Sequence, residues 1–276
     1  MINLFDENIV EIKKELIDGI SVFTIQKSLE QPVYIDNVDE NIKVVLEEGC
    51  SLSLLEKDAS KGNVEYCLKN GSVLKHNLLV LDKGNNSNRH IVCKEGAIWD
   101  AVCADFSDGS SNFVVRCELE DRDSKGYFRL SALSKNSSEK VFDVNFTHNF
   151  AHTESKMENY GVCRDASSLS FVGSSHIKNG SKKSIANQIA KIMVFDKKCS
   201  ASASPILKID ENDVSASHGA AEGKINEDHL FYLMSRGIKE EDAKRLITLG
   251  YLNPILPYLF DEETRKDVEK AIIERL

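Results

Sequence analysis

Long apolar runs are missing from this sequence. No stretch approaches the roughly 18 residues that a membrane-spanning helix needs. The N-terminus, Met1-Ile2-Asn3-Leu4-Phe5-Asp6-Glu7, is acidic and lacks the apolar segment of a secretory signal. None of the seven cysteines, at 50, 67, 93, 103, 117, 163 and 199, pairs with another at C-x-x-C spacing. Local zinc-ribbon and thioredoxin signatures are therefore excluded. An odd number of cysteines also argues against a complete disulfide framework. A reducing cytoplasm with free thiols is the expectation. There is no basic excess: 35 Lys and Arg stand against 44 Asp and Glu, a formal net charge of −9. A nucleic-acid partner is not expected, because phosphate binding needs a basic face. Lys182-Lys183 and Lys197-Lys198 read as solvated turns. Neither a G-x-S-x-G elbow nor a G-x-x-x-x-G-K-S/T loop occurs, so neither hydrolase chemistry nor P-loop ATP binding is expected. Gly173-Ser174-Ser175-His176 is glycine- and serine-rich but does not match a phosphate cradle.

What is present falls into two textures. From about Ile20 to Ala216, short runs alternate apolar and polar residues, as in Ile42-Lys43-Val44-Val45-Leu46, Val64-Glu65-Tyr66-Cys67-Leu68 and Val141-Phe142-Asp143-Val144-Asn145-Phe146. Such runs read as strands. Turn signals punctuate them at Glu48-Gly49-Cys50, Asn70-Gly71-Ser72, Glu95-Gly96-Ala97 and Asp108-Gly109-Ser110. The absence of intervening helical segments excludes a doubly wound α/β fold. A β-sandwich or barrel and a β-solenoid both remain open on pattern alone, with the short runs favouring the solenoid slightly. In residues 1–19, Ile9, Ile12 and Leu16 favour a helical stripe, although Val10, Ile12 and Lys14 also alternate.

From Asn226 onward the pattern is helical. Asn226 is a good N-cap, with Glu227 and Asp228 in the first turn, where the helix dipole favours negative charge. Leu230, Leu233 and Met234 share a face, with Phe231 beside them, and Gly237 suits a helix C-terminus. A second helix is expected over about Lys239 to Leu249, with Ala243, Leu246 and Ile247 as its stripe and Gly250 as its stop. A last helix begins near Asp261 and places Val268, Ile272 and Leu276 four residues apart. So small an appendage cannot bury its own apolar faces and needs the β-region, a second copy or a partner to cover them. The expected organisation is an N-terminal segment over 1–19, a β-core over 20–222 and a helical domain over 223–276.

Candidate chemistry is sparse. His148 and His152 lie four apart, but in a strand-and-turn context and without the glutamate of a zincin motif. The pairs Asp105 with Asp108 and Asp121 with Asp123 have the residue types of a polysaccharide-cleaving site, yet acidic residues at turns are common. His218 stands out more. It lies in Ser215-Ala216-Ser217-His218-Gly219-Ala220-Ala221-Glu222-Gly223, where small residues expose backbone and let a partner approach.

The run from Ser204 to Ala220, with Pro205, Asp213-Val214 and Ser217-His218-Gly219-Ala220, resembles the SufB/SufD family of iron–sulfur cluster assembly. So does Leu230-Phe231-Tyr232-Leu233-Met234-Ser235-Arg236-Gly237-Ile238, followed by Ala243-Lys244-Arg245-Leu246-Ile247. Gly161 to Asp165, Phe171-Val172-Gly173 and Asn187-Gln188 also look like family landmarks. The resemblance is good over about 145–255 and weaker from 20 to 145. It implies a mainly β fold, a right-handed parallel β-helix with a small C-terminal α-helical domain. It also implies a non-catalytic scaffold role, with the helical domain docking a SufC-like ABC ATPase and the β-helix pairing with a SufB-like partner or a second copy. Leu230, Phe231, Tyr232, Arg236, Leu246 and Ile247 are the implied partner-binding residues, shared between packing and docking. His218 matches the family histidine and is the implied iron or cluster ligand at the pairing junction, with any transient iron–sulfur cluster shared with a partner and none bound by this chain alone. Departures limit the ligand set: Ala216 stands where SufD has a cysteine, and no cysteine lies at Ala190 to Ile192, where SufB has one. Cys163 and Cys199 are the nearest thiols, and neither clearly matches a family ligand. The chain also looks short for the family, as though the N-terminal helical extension were lacking. The alternatives are a secreted-type β-solenoid carbohydrate-active enzyme and a purely structural adaptor that never binds a cluster.

Overall fold

The computed structural model describes residues 1–6, 9–36, 40–58 and 62–275. Alternating runs of apolar residues become strands because successive side chains point to opposite faces. In Ile42–Leu46, the alternate residues Ile42, Val44 and Leu46 are buried, while Lys43 and Val45 are half-buried on the outside. The strands stack into two nine-stranded sheets, and the chain passes from one sheet to the other once per half-coil. From Ile20–Ile25 and Val33–Asp36 onward, neighbours within a sheet are two strands apart in sequence, and every pairing is parallel except that of the first hairpin. The molecule is thus a parallel β-solenoid followed by helices, and the face-to-face antiparallel sandwich is excluded. Its strands lengthen along the chain, from four residues in Val33–Asp36 to ten in Glu154–Cys163.

From Ile20–Ile25 to Ile185–Val194, the lumen between the sheets is filled by alternate residues of the strands. Trp99 stacks on Phe128, with centroids 5.9 Å apart, and tilts against Phe146 at 6.1 Å. Gly126 faces this cluster, and a Cβ there would collide with the Phe146 ring. Two sets of polar groups in the lumen are held by dense hydrogen bonding. Glu56 accepts from Arg89 Nε (2.9 Å) and Nη2 (2.5 Å), from His76 Nε2 (2.8 Å) and from the Tyr66 hydroxyl. Trp99 donates to His76 Nδ1 at 3.3 Å, which leaves the ring proton on Nε2 to face Glu56. Burial alone would raise the Glu56 carboxyl. The Arg89 charge and the hydrogen bonds overcome this and hold it well below the usual carboxylate range. Asp105 and Lys140 form a second sealed pair at 2.6 Å, completed by Ser107 and Ser111. Burial lowers the Lys140 ammonium against the opposing pull of Asp105.

Residues 1–19 correct the helical expectation. The described part of this segment holds strands at Ile2–Asn3 and Ile12–Ile17, and Ile12–Ile17 runs antiparallel to Ile20–Ile25. The cause is the two-residue link Asp18-Gly19, whose φ angles of 51° and 79° make the tight turn that matches strand twist. Lys14 then lies over the rings of Phe5 and Phe23, 5.4 and 5.6 Å from their centroids, and closes the N-terminal end of the lumen.

The strands end at Lys224, and three helices follow: α1 (Glu227–Ser235), α2 (Glu240–Leu252) and α3 (Glu262–Arg275), with a 3-10 turn Asn253–Tyr258 before the last. Asn226 caps α1 by accepting from the His229 N–H at 3.0 Å, and Gly237 follows it at φ 87°. Gly250 does not stop α2, which runs on to Leu252 because Thr248 and Leu252 are buried against the solenoid. Leu252, Ile255, Leu259, Val268 and Ile272 share one core with Leu79, Val102, Leu133 and Val162 from the outer face of a sheet. Each such side chain contributes about 1.5–3 kcal/mol on burial. Ser131 donates to the Leu252 carbonyl at 2.9 Å, and the Arg129 guanidinium sits 3.7 Å from the Tyr258 ring centroid. The helical tail is therefore a wing of the solenoid rather than a body with its own core. Leu276 of the expected α3 stripe lies outside the described residues.

Candidate functional site

The C-terminal end of the solenoid has no cover among the described residues. Ser200–Ile209 is the terminal strand of one sheet, and Ser215–Lys224 is that of the other. Each is hydrogen-bonded on one side only, to Ser168–Ile177 and Ile185–Val194 respectively. Every residue of Ser215–Lys224 is exposed. Small residues at Ala216, Gly219, Ala220 and Ala221 leave its unpaired backbone unobstructed. An edge of this kind templates pairing with another strand.

His218 lies on this edge. It is in register with Gln188, whose neighbours Ala186 and Ala190 are also buried in the lumen. Gln188 is held by Nε2 hydrogen bonds to Ser175 Oγ (2.8 Å) and to the Ile206 carbonyl (3.1 Å). By alternation His218 belongs to the lumen-facing set with Ala216 and Ala220, one coil beyond the last buried layer. Its imidazole stands at the mouth of the solenoid, where a neutral ring nitrogen can act as a ligand. No group of three His, Cys, Asp or Glu arranged to hold a metal exists among the described residues.

The implied partner-binding residues separate into two sets. Phe231 and Tyr232 on α1 are 74% and 56% exposed, and Leu246 on α2 is 49% exposed. Arg236 stacks 5.3 Å over the Tyr232 ring and shares its exposed face. Leu230 is half-buried and lines a groove of about 560 Å³ with Phe231, Met234, Phe195 and Ile225. Ile247 points the other way, into the core shared by helices and solenoid. None of the residues of α1 is buried.

The remaining sequence candidates do not converge. His148 lies inside the lumen, with its two ring nitrogens 2.7 Å from Thr153 Oγ1 and 2.8 Å from Ser155 Oγ. Burial, with the charge of His176 nearby, lowers it to about 4. His152 stands apart on a turn at φ 61°. Asp105 is sealed against Lys140, whereas Asp108 is outside and pairs with Lys135 at 3.2 Å. Asp121 and Asp123 occupy an exposed turn beside Lys94 and Arg122. Both lysine pairs are exposed on turns. Sequence reasoning missed the Glu56–Arg89–His76–Tyr66 network, because residues up to 33 positions apart are brought together only by coil stacking. Membrane-crossing helices are absent among the described residues.

Comparison with known proteins agrees with this architecture. The family model described as the SUF system FeS cluster assembly, SufBD core domain, matches residues 25–251. The iron-sulfur cluster assembly protein SufD of Bacillus subtilis is 38% identical over 135 residues, covering 48% of this chain and 31% of that protein. SufB of the same organism is 24% identical over 221 residues, covering 79% of this chain and 48% of SufB. A SufBD family protein of Staphylococcus saprophyticus is 22% identical over 222 residues, covering 78% and 47%. The chain spans between about a third and a half of the length of these curated relatives. With the core-domain model matched across both the solenoid and α1, the chain belongs to the SufB/SufD family of iron–sulfur cluster assembly proteins.

Proposed function

We propose that this chain is a non-catalytic scaffold component of the SUF iron–sulfur cluster assembly machinery, working in the cytoplasm. It pairs through the open end of its solenoid with a SufB-like partner or a second copy. It docks a SufC-like ABC ATPase on the exposed face of α1 and the outward side of α2. The observation that carries the reading is the contrast within the helical tail: α3 is cemented to the solenoid, while Phe231, Tyr232 and Leu246 are left in solvent. Clustered exposed aromatic residues of this kind mark interaction surfaces. The unpaired edges of Ser200–Ile209 and Ser215–Lys224 support pairing by strand addition.

Iron and sulfide are cargo in this reading. His218 contributes one imidazole nitrogen at the pairing junction, and the other ligands come from the partner. The alanine at 216 offers no ligand of its own. Nucleotide chemistry belongs to the ATPase, whose ATP-driven dimerisation pulls docked helices together and opens the junction.

Co-purification with a SufC-type ATPase tests the docking face. Phe231→Asp and Leu246→Asp are each expected to abolish capture while circular dichroism stays unchanged, since both side chains are exposed. Undiminished capture by both variants would refute the assignment of that face. Anaerobic reconstitution of the paired complex with ferrous iron and sulfide, read by absorbance and Mössbauer spectroscopy, tests His218. An unaltered spectrum in His218→Ala would make the chain an adaptor rather than a ligand donor.

A further inference from the structure

The seven thiols of the chain are not equivalent. Cys93, Cys103 and Cys117 are sealed in the lumen, at 1% exposure or less. Cys93 and Cys117 touch each other there, out of reach of any reagent. Cys67 is half-buried on the surface and donates to Glu65 at 3.2 Å. The pair Cys163 and Cys199 combines what the others have separately: a neighbouring thiol and, through Cys199, access from solvent.

Cys163 ends the strand Glu154–Cys163, and Cys199 immediately precedes Ser200–Ile209. They occupy the same corner of two successive coils. The Cys163 sulfur is 3.3 Å from the Ser167 carbonyl and 3.7 Å from the carbonyl of Ser200, the residue after Cys199. The Cys199 sulfur is 3.7 Å from the carbonyl of Asp165, two residues beyond Cys163. Each thiol therefore rests against the other's chain, and the two side chains are near enough to influence one another electrostatically. Backbone bonds hold the corner in place: Ser200 N–H to Ser167 O at 3.0 Å, and Asp165 N–H to the Asp196 carboxylate at 2.7 Å. Cys163 is fully buried, and Cys199 is only partly so.

We propose that Cys163 and Cys199 are a dithiol that low-molecular-weight disulfides oxidise to an intramolecular disulfide, stapling the last coil of the solenoid to the coil before it. The chemistry runs in two exchanges. The Cys199 thiolate attacks one sulfur of the small disulfide, forms a mixed disulfide and expels the first small thiolate, which takes up a proton. Cys163, giving its proton to solvent as it reacts, then attacks the Cys199 sulfur. The Cys163–Cys199 bond forms, and the second small thiol leaves. Two protein thiols are oxidised and one small disulfide is reduced to two thiols. Burial pushes the Cys163 thiol up to about 11, so it is a poor first nucleophile, and contact with Cys199 is what makes it competent for the second step. The proposal does not depend on the docking or pairing reading above.

The test incubates the full chain with glutathione disulfide, traps remaining thiols by alkylation in acid quench, and maps the products by mass spectrometry. Residues 163 and 199 are expected in one linked peptide, with no glutathione retained at either position. Dithiothreitol restores both. Cys163→Ser is expected to stop at a stable glutathione adduct on Cys199, with Cys163→Ala as the substitute if the serine variant does not fold. Cys199→Ser leaves Cys163 reduced. Cys67, with no thiol neighbour, forms at most a mixed adduct, and the sealed Cys93–Cys117 pair stays reduced. Three results would each overturn the proposal: wild-type protein that stops at the mixed adduct on Cys199, protein that stays reduced at both positions, and a Cys199→Ser variant in which Cys163 still reacts at the wild-type rate.

Discussion

At the N-terminal end of the solenoid, Leu4 and Phe23 are buried to 1% and 0% exposure and Lys14 covers the Phe5 and Phe23 rings, whereas at the other end every residue of Ser215–Lys224 is exposed. Each end has two terminal strands paired on one side only, but at the first end Ile12–Ile17 brings Ile12 and Lys14 onto the core at Phe23, whereas nothing among the described residues covers the last coil. The fillings differ in the same direction. Leu, Phe, Tyr and Trp fill the early coils, while Ala186, Gln188 and Ala190 face Ala216, His218 and Ala220 at the last. The open end retains small side chains and bare backbone, which suit a surface completed by another molecule. Stable folds do not leave such edges unguarded without a use for them.

Substitutions can break or sharpen this contrast. The largest effect is expected for Phe23→Ala at the closed end, a loss of about 3–5 kcal/mol in denaturant unfolding, since a fully buried ring leaves a cavity. Glu56→Gln follows, with a loss of about 3 kcal/mol, because the Arg89 charge stays buried without its counter-ion. Replacing Glu56 and Arg89 together by Met should recover most of that loss, which distinguishes a desolvated charge from lost packing.

His148 gives a smaller, pH-dependent effect in the later coils. Its folded value of about 4 lies below the ordinary 6.5, so the unfolded chain takes up the proton first. Its contribution is therefore fully present above about pH 6.5 and is lost as pH falls from there towards 4, up to about 3 kcal/mol in all. Unfolding titrations of His148→Asn should show a flatter profile over that window. Glu56 acts lower: its depressed carboxyl stabilises the fold above the unfolded value of about 4.5, and this stabilisation is lost only on stronger acidification. The smallest effects are expected at the open end and on α1. His218→Ala and Phe231→Ser should each change stability by less than about 0.5 kcal/mol, as exposed positions do. A loss of more than about 1 kcal/mol at either would mean that the site is part of the folded core.

Much of this architecture was legible before any coordinates. The alternation at Ile42, Val44 and Leu46 gave strands, and Asn226 and Gly237 bounded α1, because period and caps are local properties of the chain. The N-terminal hairpin was misread, since Ile9, Ile12 and Leu16 also satisfy a helical period, and the deciding signal was the Asp18-Gly19 turn. The run around His218 carried the family resemblance, but its small residues read as a junction after the last strand, whereas the structure makes Ser215–Lys224 itself the terminal strand. The pairs His148 with His152 and Asp105 with Asp108 show the opposite outcome. Closeness in sequence suggested sites, but strand alternation and the corners of the coil sent the partners to different surroundings.

By itself, then, the amino-acid order determined which segments are strands and helices, which faces are apolar and which family the C-terminal motifs resemble. These follow from spacing of two or 3.6 residues and from capping chemistry. Only the stacking of coils decided that Glu56 meets Arg89, that Cys163 meets Cys199, and that α3 is cemented down while α1 stands free. Those contacts join residues tens of positions apart. Their partners are set by how many residues each coil consumes before the chain returns to the same sheet.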